Sequence, residues 1–169
     1  MNNLVKHIPS FMSYDDAQLI SNYAKSVDNS FENFGNEEKE FTFHADFKDS
    51  KIKDLLNFYG EKVWHFVVDN YGGNFINFDS SKTHIARFAP GHGMHEHFDS
   101  TKPNDIATLI YLNEDYSGGS IYFPDLEIEI QPKSGDLVCF PDTPDFVHGV
   151  KKILTGVRYT SPRWITRSV

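Results

Sequence analysis

The hydrophobic pattern of this chain changes period near residue 82. Upstream, apolar residues recur every three or four positions; downstream they come in short runs separated by Gly, Pro, Asn and Asp. A period of about 3.6 residues suits a helix that buries one stripe, whereas short runs divided by turn residues suit antiparallel strands. The chain therefore reads as an α+β protein, helices first and a sandwich or barrel of strands after them. With 169 residues there is enough chain for one hydrophobic core and too little for two. The expectation is a single domain over 1–169, with a helical part at about 1–75 and a β core at about 82–166.

Local cues place the elements. Ser13-Tyr-Asp-Asp16 opens a helix in the manner of a capping box, with Asp in place of the usual Glu, and the helix should end near Val27. A second periodic segment runs from about Ile52 to Tyr71, with Phe58 among its apolar face, and Gly72-Gly73 stops it. Strands are expected at His84–Phe88, Ile106–Leu112, Ser120–Phe123, Leu126–Ile130, Leu137–Phe140 and Val157–Tyr159, with a further one around Phe146–Val150. The strict alternation in Leu126-Glu-Ile-Glu-Ile130 predicts one buried and one wet face.

Composition narrows the function classes. Apolar residues at 39% and fifteen phenylalanines describe a folded chain. No apolar run approaches the roughly 18 residues of a membrane span, and Met1-Asn-Asn-Leu-Val-Lys-His7 lacks the layout of a signal peptide, so a cytoplasmic protein without membrane partners is expected. Cys139 stands alone in an apolar run, as a small buried thiol would. A net charge of −8 repels phosphate backbones, and only Arg158, Arg163 and Arg167 offer a basic cluster, so no nucleic-acid partner is expected.

The residues that carry chemistry lie in His92-Gly-Met-His-Glu-His97-Phe-Asp99. On an extended chain His97 and Asp99 share a face while Phe98 points away. Two imidazoles and one carboxylate on one face of an octahedral ion leave positions open, the arrangement of non-haem iron(II) sites. The third ligand must come from a distance, and His148 is the natural choice on a late strand. His92 and His95 read as loop polar groups. A cupin-type site built on His95 and His97 is an alternative, but it expects a glutamate soon afterwards, where this chain has Asp99-Ser-Thr-Lys-Pro103. A binding module with a structural or vestigial metal site is another.

Arg158 follows His148 by ten residues, which suggests the neighbouring strand of a hairpin turning near Leu154-Thr-Gly156. An even register would aim both side chains inward. A buried guanidinium needs a carboxylate, and the sequence fixes no acidic partner. A dicarboxylate ligand would satisfy it while chelating the metal at its other end. The alternative is a surface arginine.

Taken in order, these stretches resemble the iron(II)/2-oxoglutarate dioxygenases of the prolyl 4-hydroxylase type: Arg87-Phe-Ala-Pro-Gly91, His97-Phe-Asp99, Thr108-Leu-Ile-Tyr-Leu-Asn113, Gly118-Gly-Ser-Ile-Tyr-Phe-Pro124, Pro132-Lys-Ser-Gly-Asp-Leu-Val138, His148-Gly-Val150, Gly156-Val-Arg-Tyr159 and Trp164. The likeness spans roughly residues 84–166. It implies a double-stranded β-helix, or jelly roll, with the N-terminal helices packed on one sheet. It implies Fe(II) held by His97, Asp99 and His148, and 2-oxoglutarate bound through its distal carboxylate by Arg158. Tyr111 would add a hydroxyl to that carboxylate, or else be a core aromatic; Trp164 would sit near the substrate entrance, or else be a packing residue. O2 is the oxidant, succinate and carbon dioxide are the co-products, and ascorbate is a further family expectation. Asp99 favours hydroxylation, because related halogenases lack that carboxylate. Phe88 departs from the pattern, since many relatives carry tyrosine there.

A prolyl residue in a peptide or protein is the leading substrate expectation, with a free amino acid or other small molecule as runner-up. The segments Phe31–Asp49 and Gly91–Glu96 that would decide between them are polar and irregular. The acidic net charge would suit a basic peptide.

Overall fold

Ser13 starts the first helix with its own hydroxyl. In a computed structural model of the chain, which describes residues 2–33, 41–99 and 105–168, α1 (Tyr14–Ser26) begins where Ser13 Oγ accepts the Asp16 N–H at 3.2 Å. The reciprocal bond of a capping box is not made. The Asp16 carboxylate instead accepts the Tyr59 hydroxyl of α2 (Ser50–Tyr71) at 2.6 Å, and the same phenolic oxygen accepts the Ser13 N–H at 3.2 Å. The start of α1 is thus bolted to the side of α2.

Asp49 caps α2 by accepting the Lys51 and Ile52 N–H groups, and the helix ends at Gly72, whose φ of 62° suits a residue without Cβ. Its buried stripe is Ile52, Leu56, Tyr59, Gly60, Val63 and Val67. Phe58, expected on this stripe, is 56% exposed. Two residues beyond Leu56 the helix has turned by about 200°, so Phe58 faces water. No helix among the described residues is long and apolar enough to cross a membrane.

The strands form antiparallel sheets. The largest has the order β1 (Lys6–Ile8), β10 (Leu137–Asp142), β6 (Asp105–Tyr111), β13 (Arg158–Ile165), β4 (Ile85–Phe88), β3 (Thr42–His44) and β2 (Glu32–Asn33). A second has the order β5 (Met94–His97), β11 (His148–Val150), β8 (Ile121–Phe123) and β9 (Ile128–Ile130), and β12 (Ile153–Thr155) pairs with β7 (Ser117–Gly118).

Alternation along the central strands sorts side chains between two apolar layers. Ile106 and Ile110 of β6 join Tyr159 and Ile165 of β13 beneath the helices. Ala107 and Tyr111 of β6, with Val138 and Phe140 of β10, meet Ile121 and Phe123 of the second sheet. Arg158, adjacent to Tyr159, therefore points between the sheets. Cys139 is buried beneath the helices, where burial pushes its thiol pKa up.

Several sequence expectations are corrected. His148 and Arg158 are not on paired strands: β11 and β13 lie in different sheets, and the chain between them forms β12. Their even spacing carries no register. The irregular stretch before His97 contains β5, and the one after Phe31 contains β2 and β3; their short or polar strands lack the apolar alternation that marks a strand. Residues 34–40 lie outside the described residues. Strand β13 extends six residues beyond its expected end at Tyr159, through Pro162 to Ile165. Pairing with β4 stops at Thr160, so Pro162 lies on an edge bonded to β6 alone, where a missing N–H is tolerated. Leu126 sits in a short 3-10 turn before β9 rather than in the strand.

Candidate metal and co-substrate site

His97 and His148 are register partners across β5 and β11, with ring centroids 4.5 Å apart. In both, Nδ1 faces the carbonyl two residues earlier: His97 Nδ1 lies 2.7 Å from the His95 oxygen, and His148 Nδ1 lies 3.2 Å from that of Phe146. A carbonyl only accepts, so each Nδ1 carries a proton; His148 Nε2 keeps its lone pair for a ligand, and His97 Nε2, which faces the Asp99 carboxylate, would give up its proton to become one. Asp99 follows β5 directly. Its backbone N–H donates to Asp142 Oδ1 at 2.9 Å, its Oδ1 lies 3.0 Å from His97 Nε2, and its Oδ2 accepts the Trp164 indole N–H at 2.9 Å. One ligand atom from each of His97, Asp99 and His148 lies within 4.8 Å of the others.

The electrostatics suit a cation. Burial penalises the Asp99 charge, but the His97 hydrogen bond, the neighbouring His148 and the Trp164 indole outweigh it and hold the carboxyl below its ordinary range. Burial and the adjacent His97 push His148 down to about 4, which keeps its imidazole neutral. Burial also opposes charge on His97, yet the Asp99 hydrogen bond raises its pKa. Three donors of this kind form the nitrogen and oxygen set that iron(II) accepts, with positions left over. His95 is exposed and outside this group, so the pairing a cupin-type site would need is not made.

Arg158 is completely buried. Its Nη1 donates to the Gly119 carbonyl at 2.9 Å, its guanidinium lies 4.0 Å over the Phe88 ring, and Nε and Nη2 have no partner among the described residues. The Tyr111 and Tyr116 hydroxyls and the Thr160 hydroxyl are also buried without partners. Burial opposes the charge on Arg158, and the nearby Tyr111 and Tyr116 favour it. Orphaned donors of this kind are costly unless a ligand meets them. A guanidinium with two unpaired nitrogens beside phenols is a receptor for a carboxylate. The fit to a metal-chelating dicarboxylate therefore rests on residues present in the chain.

Tyr116 and Thr160 were missed by the sequence reading. Thr160 had a usable cue, two residues beyond Arg158 on the same strand face; Tyr116, in a turn, had none. Arg163 is also buried, and Arg167 donates to the Gly72 and Tyr71 carbonyls, so the three arginines form no joint surface.

Trp164 stacks on His84 with centroids 6.3 Å apart and planes 10° from parallel. Both line a groove of about 690 Å³ that reaches Asp99 and is walled by Phe41, Phe43 and Met94.

Two imidazoles and a carboxylate drawn together, with a buried guanidinium left unpaired among the described residues, are the groups that a metal-dependent enzyme binding a dicarboxylate would use. The sequence model of the 2OG-Fe(II) oxygenase superfamily matches residues 83–166, and the chain belongs to that superfamily. Chicken (Gallus gallus) prolyl 3-hydroxylase 1 is 36% identical over 67 residues, which cover 37% of this chain and 9% of that protein. Rat (Rattus norvegicus) prolyl 3-hydroxylase 2 is 31% identical over 67 residues and 10% of its length. This chain thus spans only a small part of the curated relatives it matches. Among solved structures, a Pseudomonas putida prolyl-4-hydroxylase aligns with TM-score 0.79 at 16% identity, covering 98% of this chain and 94% of that one. The viral collagen prolyl hydroxylase of Paramecium Bursaria Chlorella virus-1, in complex with 2-oxoglutarate, aligns with TM-score 0.66 at 19% identity, covering 98% and 97%. At these identities the structures support the fold.

Proposed function

We propose that this protein is an iron(II)- and 2-oxoglutarate-dependent hydroxylase whose substrate is a prolyl residue in a peptide or protein. The observation that carries the co-substrate reading is Arg158, buried with two guanidinium nitrogens unpaired among the described residues. The prolyl reading is supported by the proline-modifying names of the relatives and by the aromatic-walled groove that reaches Asp99. We read the alternation of β4, β5, β6, β8, β9, β10, β11 and β13 between the two larger sheets as a double-stranded β-helix within a single oxygenase domain, 1–169.

When bound, iron(II) and 2-oxoglutarate supply the oxidising power, with dioxygen consumed, succinate and carbon dioxide released, and one oxygen atom delivered to a substrate C–H bond. The chain's residues bind and orient. His97, His148 and Asp99 would hold the metal, their rings and carboxylate fixed in direction by the His95 and Phe146 carbonyls and the Trp164 indole. Arg158, with the Tyr111 hydroxyl, would receive the far carboxylate. Phe123 and Phe140 pack on the His148 ring and keep water from its inner side.

Anaerobic addition of iron(II) and 2-oxoglutarate should give a weak visible charge-transfer band that is absent in Arg158→Ala. Mass spectrometry of proline-containing peptides after aerobic turnover should show the gain of one oxygen atom. If only free amino acids or other small molecules gain oxygen, the substrate reading gives way to the runner-up.

A further inference from the structure

His84 leads into β4 beside the proposed metal ligands, and no part of the metal or co-substrate machinery uses it. Its Nδ1 donates to the Lys82 carbonyl at 3.0 Å, which fixes both ring direction and tautomer and leaves Nε2 as an acceptor. The ring is clamped by parallel stacking on Trp164 and by the edge contact of Phe43, whose centroid is 6.3 Å away at 88°. Burial lowers its pKa, and Arg163 acts in the same direction. The ring is therefore neutral at physiological pH.

Four other polar side chains of the groove wall are engaged. Trp164 N–H is held by Asp99, Trp64 N–H by the Ile76 carbonyl, Asp105 accepts from Thr166, and Asp79 accepts from Ser81. Among the described residues, His84 makes its hydrogen bond through Nδ1 alone, and Nε2 is left without a partner. A rigid, neutral acceptor amid aromatic rings is matched to a neutral donor. A free amino acid offers an ammonium, which a carboxylate would hold better; a peptide offers amide N–H groups along an extended backbone.

We propose that His84 is a specificity-determining residue, whose Nε2 accepts a backbone N–H of a peptide substrate lying against Trp164 in the groove. This rests on the peptide reading of the site given above. One neutral hydrogen bond of this kind changes apparent affinity by about three- to tenfold.

The test uses the full chain and a panel of proline-containing peptides, and a matching depsipeptide series in which one amide N–H at a time is replaced by an ester oxygen. His84→Phe retains a stacking ring and removes the acceptor. The expected result is a three- to tenfold rise in peptide KM with the KM for 2-oxoglutarate unchanged. One ester position should raise the wild-type KM by the same factor and have no further effect in His84→Phe. His84→Gln, which restores an acceptor, should recover part of the loss. An unchanged peptide KM in His84→Phe, or additive losses at every ester position, overturns the role of His84 and leaves the peptide reading standing. No oxygen gain by any peptide with the wild-type protein, while a free amino acid is oxidised, overturns the peptide reading and this inference with it.

Discussion

Phe88 and Arg158 face each other as register partners on β4 and β13, with the guanidinium 4.0 Å from the centre of the ring. Phe88 also stacks on Phe41, with centroids 5.3 Å apart and planes at 15°. The ring is a floor for a buried cation that has no carboxylate partner among the described residues, so Arg158 costs stability until a ligand arrives. Arg158→Met should raise the stability of the ligand-free protein by about 1–4 kcal/mol. The same variant should lose the rise in melting temperature that 2-oxoglutarate with a divalent metal gives the wild type. Thermal unfolding with and without ligand checks both halves; a less stable ligand-free variant would refute the cost assigned to Arg158.

Trp164 reaches the metal site through one bond, from its indole nitrogen to Asp99 Oδ2. Trp164→Phe keeps a ring against His84 and deletes the donor. Loss of such a partner typically weakens metal affinity by about tenfold or more. Titration calorimetry with manganese(II) as an air-stable probe should show that drop, with the fold unchanged by circular dichroism.

Gly60 is a packing glycine inside α2. A Cβ at this position would lie 2.6 Å from Arg163 Nε, and the guanidinium is held in place by the Asp79 carbonyl, the Thr83 hydroxyl and the Phe78 ring. Gly60→Ala gains helix propensity but overpacks this contact, so a net loss of about 1–3 kcal/mol in urea unfolding is expected. A gain would mean that Arg163 moves aside freely.

Asp28 joins the segment after α1 to the large sheet. Its carboxylate accepts from Arg87 Nε and Nη2 at 2.5 and 3.0 Å and from the Tyr159 hydroxyl at 2.9 Å. Burial opposes its charge, but Arg87 and Tyr159 prevail and hold its pKa below the ordinary value. A carboxyl depressed on folding contributes stability that is present above its unfolded pKa of about 3.9 and is lost as pH falls through the folded value. Urea unfolding at pH values from about 5 downward should therefore lose more stability in the wild type than in Asp28→Asn. Parallel curves for the two proteins would show that the pair contributes nothing to acid sensitivity.

The sequence by itself determined much of this protein. The change of period at residue 82, the Ser13 cap and the Gly72 stop are local, and local rules read them. His97 and Asp99 were legible because two residues apart on an extended chain share a face. His148 and Arg158 were nameable as residue types in order, but where they lie depended on strand pairing. Only the tertiary structure put His148 opposite His97 and moved Arg158 to the other sheet, since the chain between them forms β12 rather than a hairpin turn. The partner of Asp16, the floor beneath Arg158 and the stacking of His84 on Trp164 were likewise out of reach of the sequence. Each joins groups distant along the chain, and burial, which gives such contacts their energy, is decided by how layers pack rather than by any local run of residues.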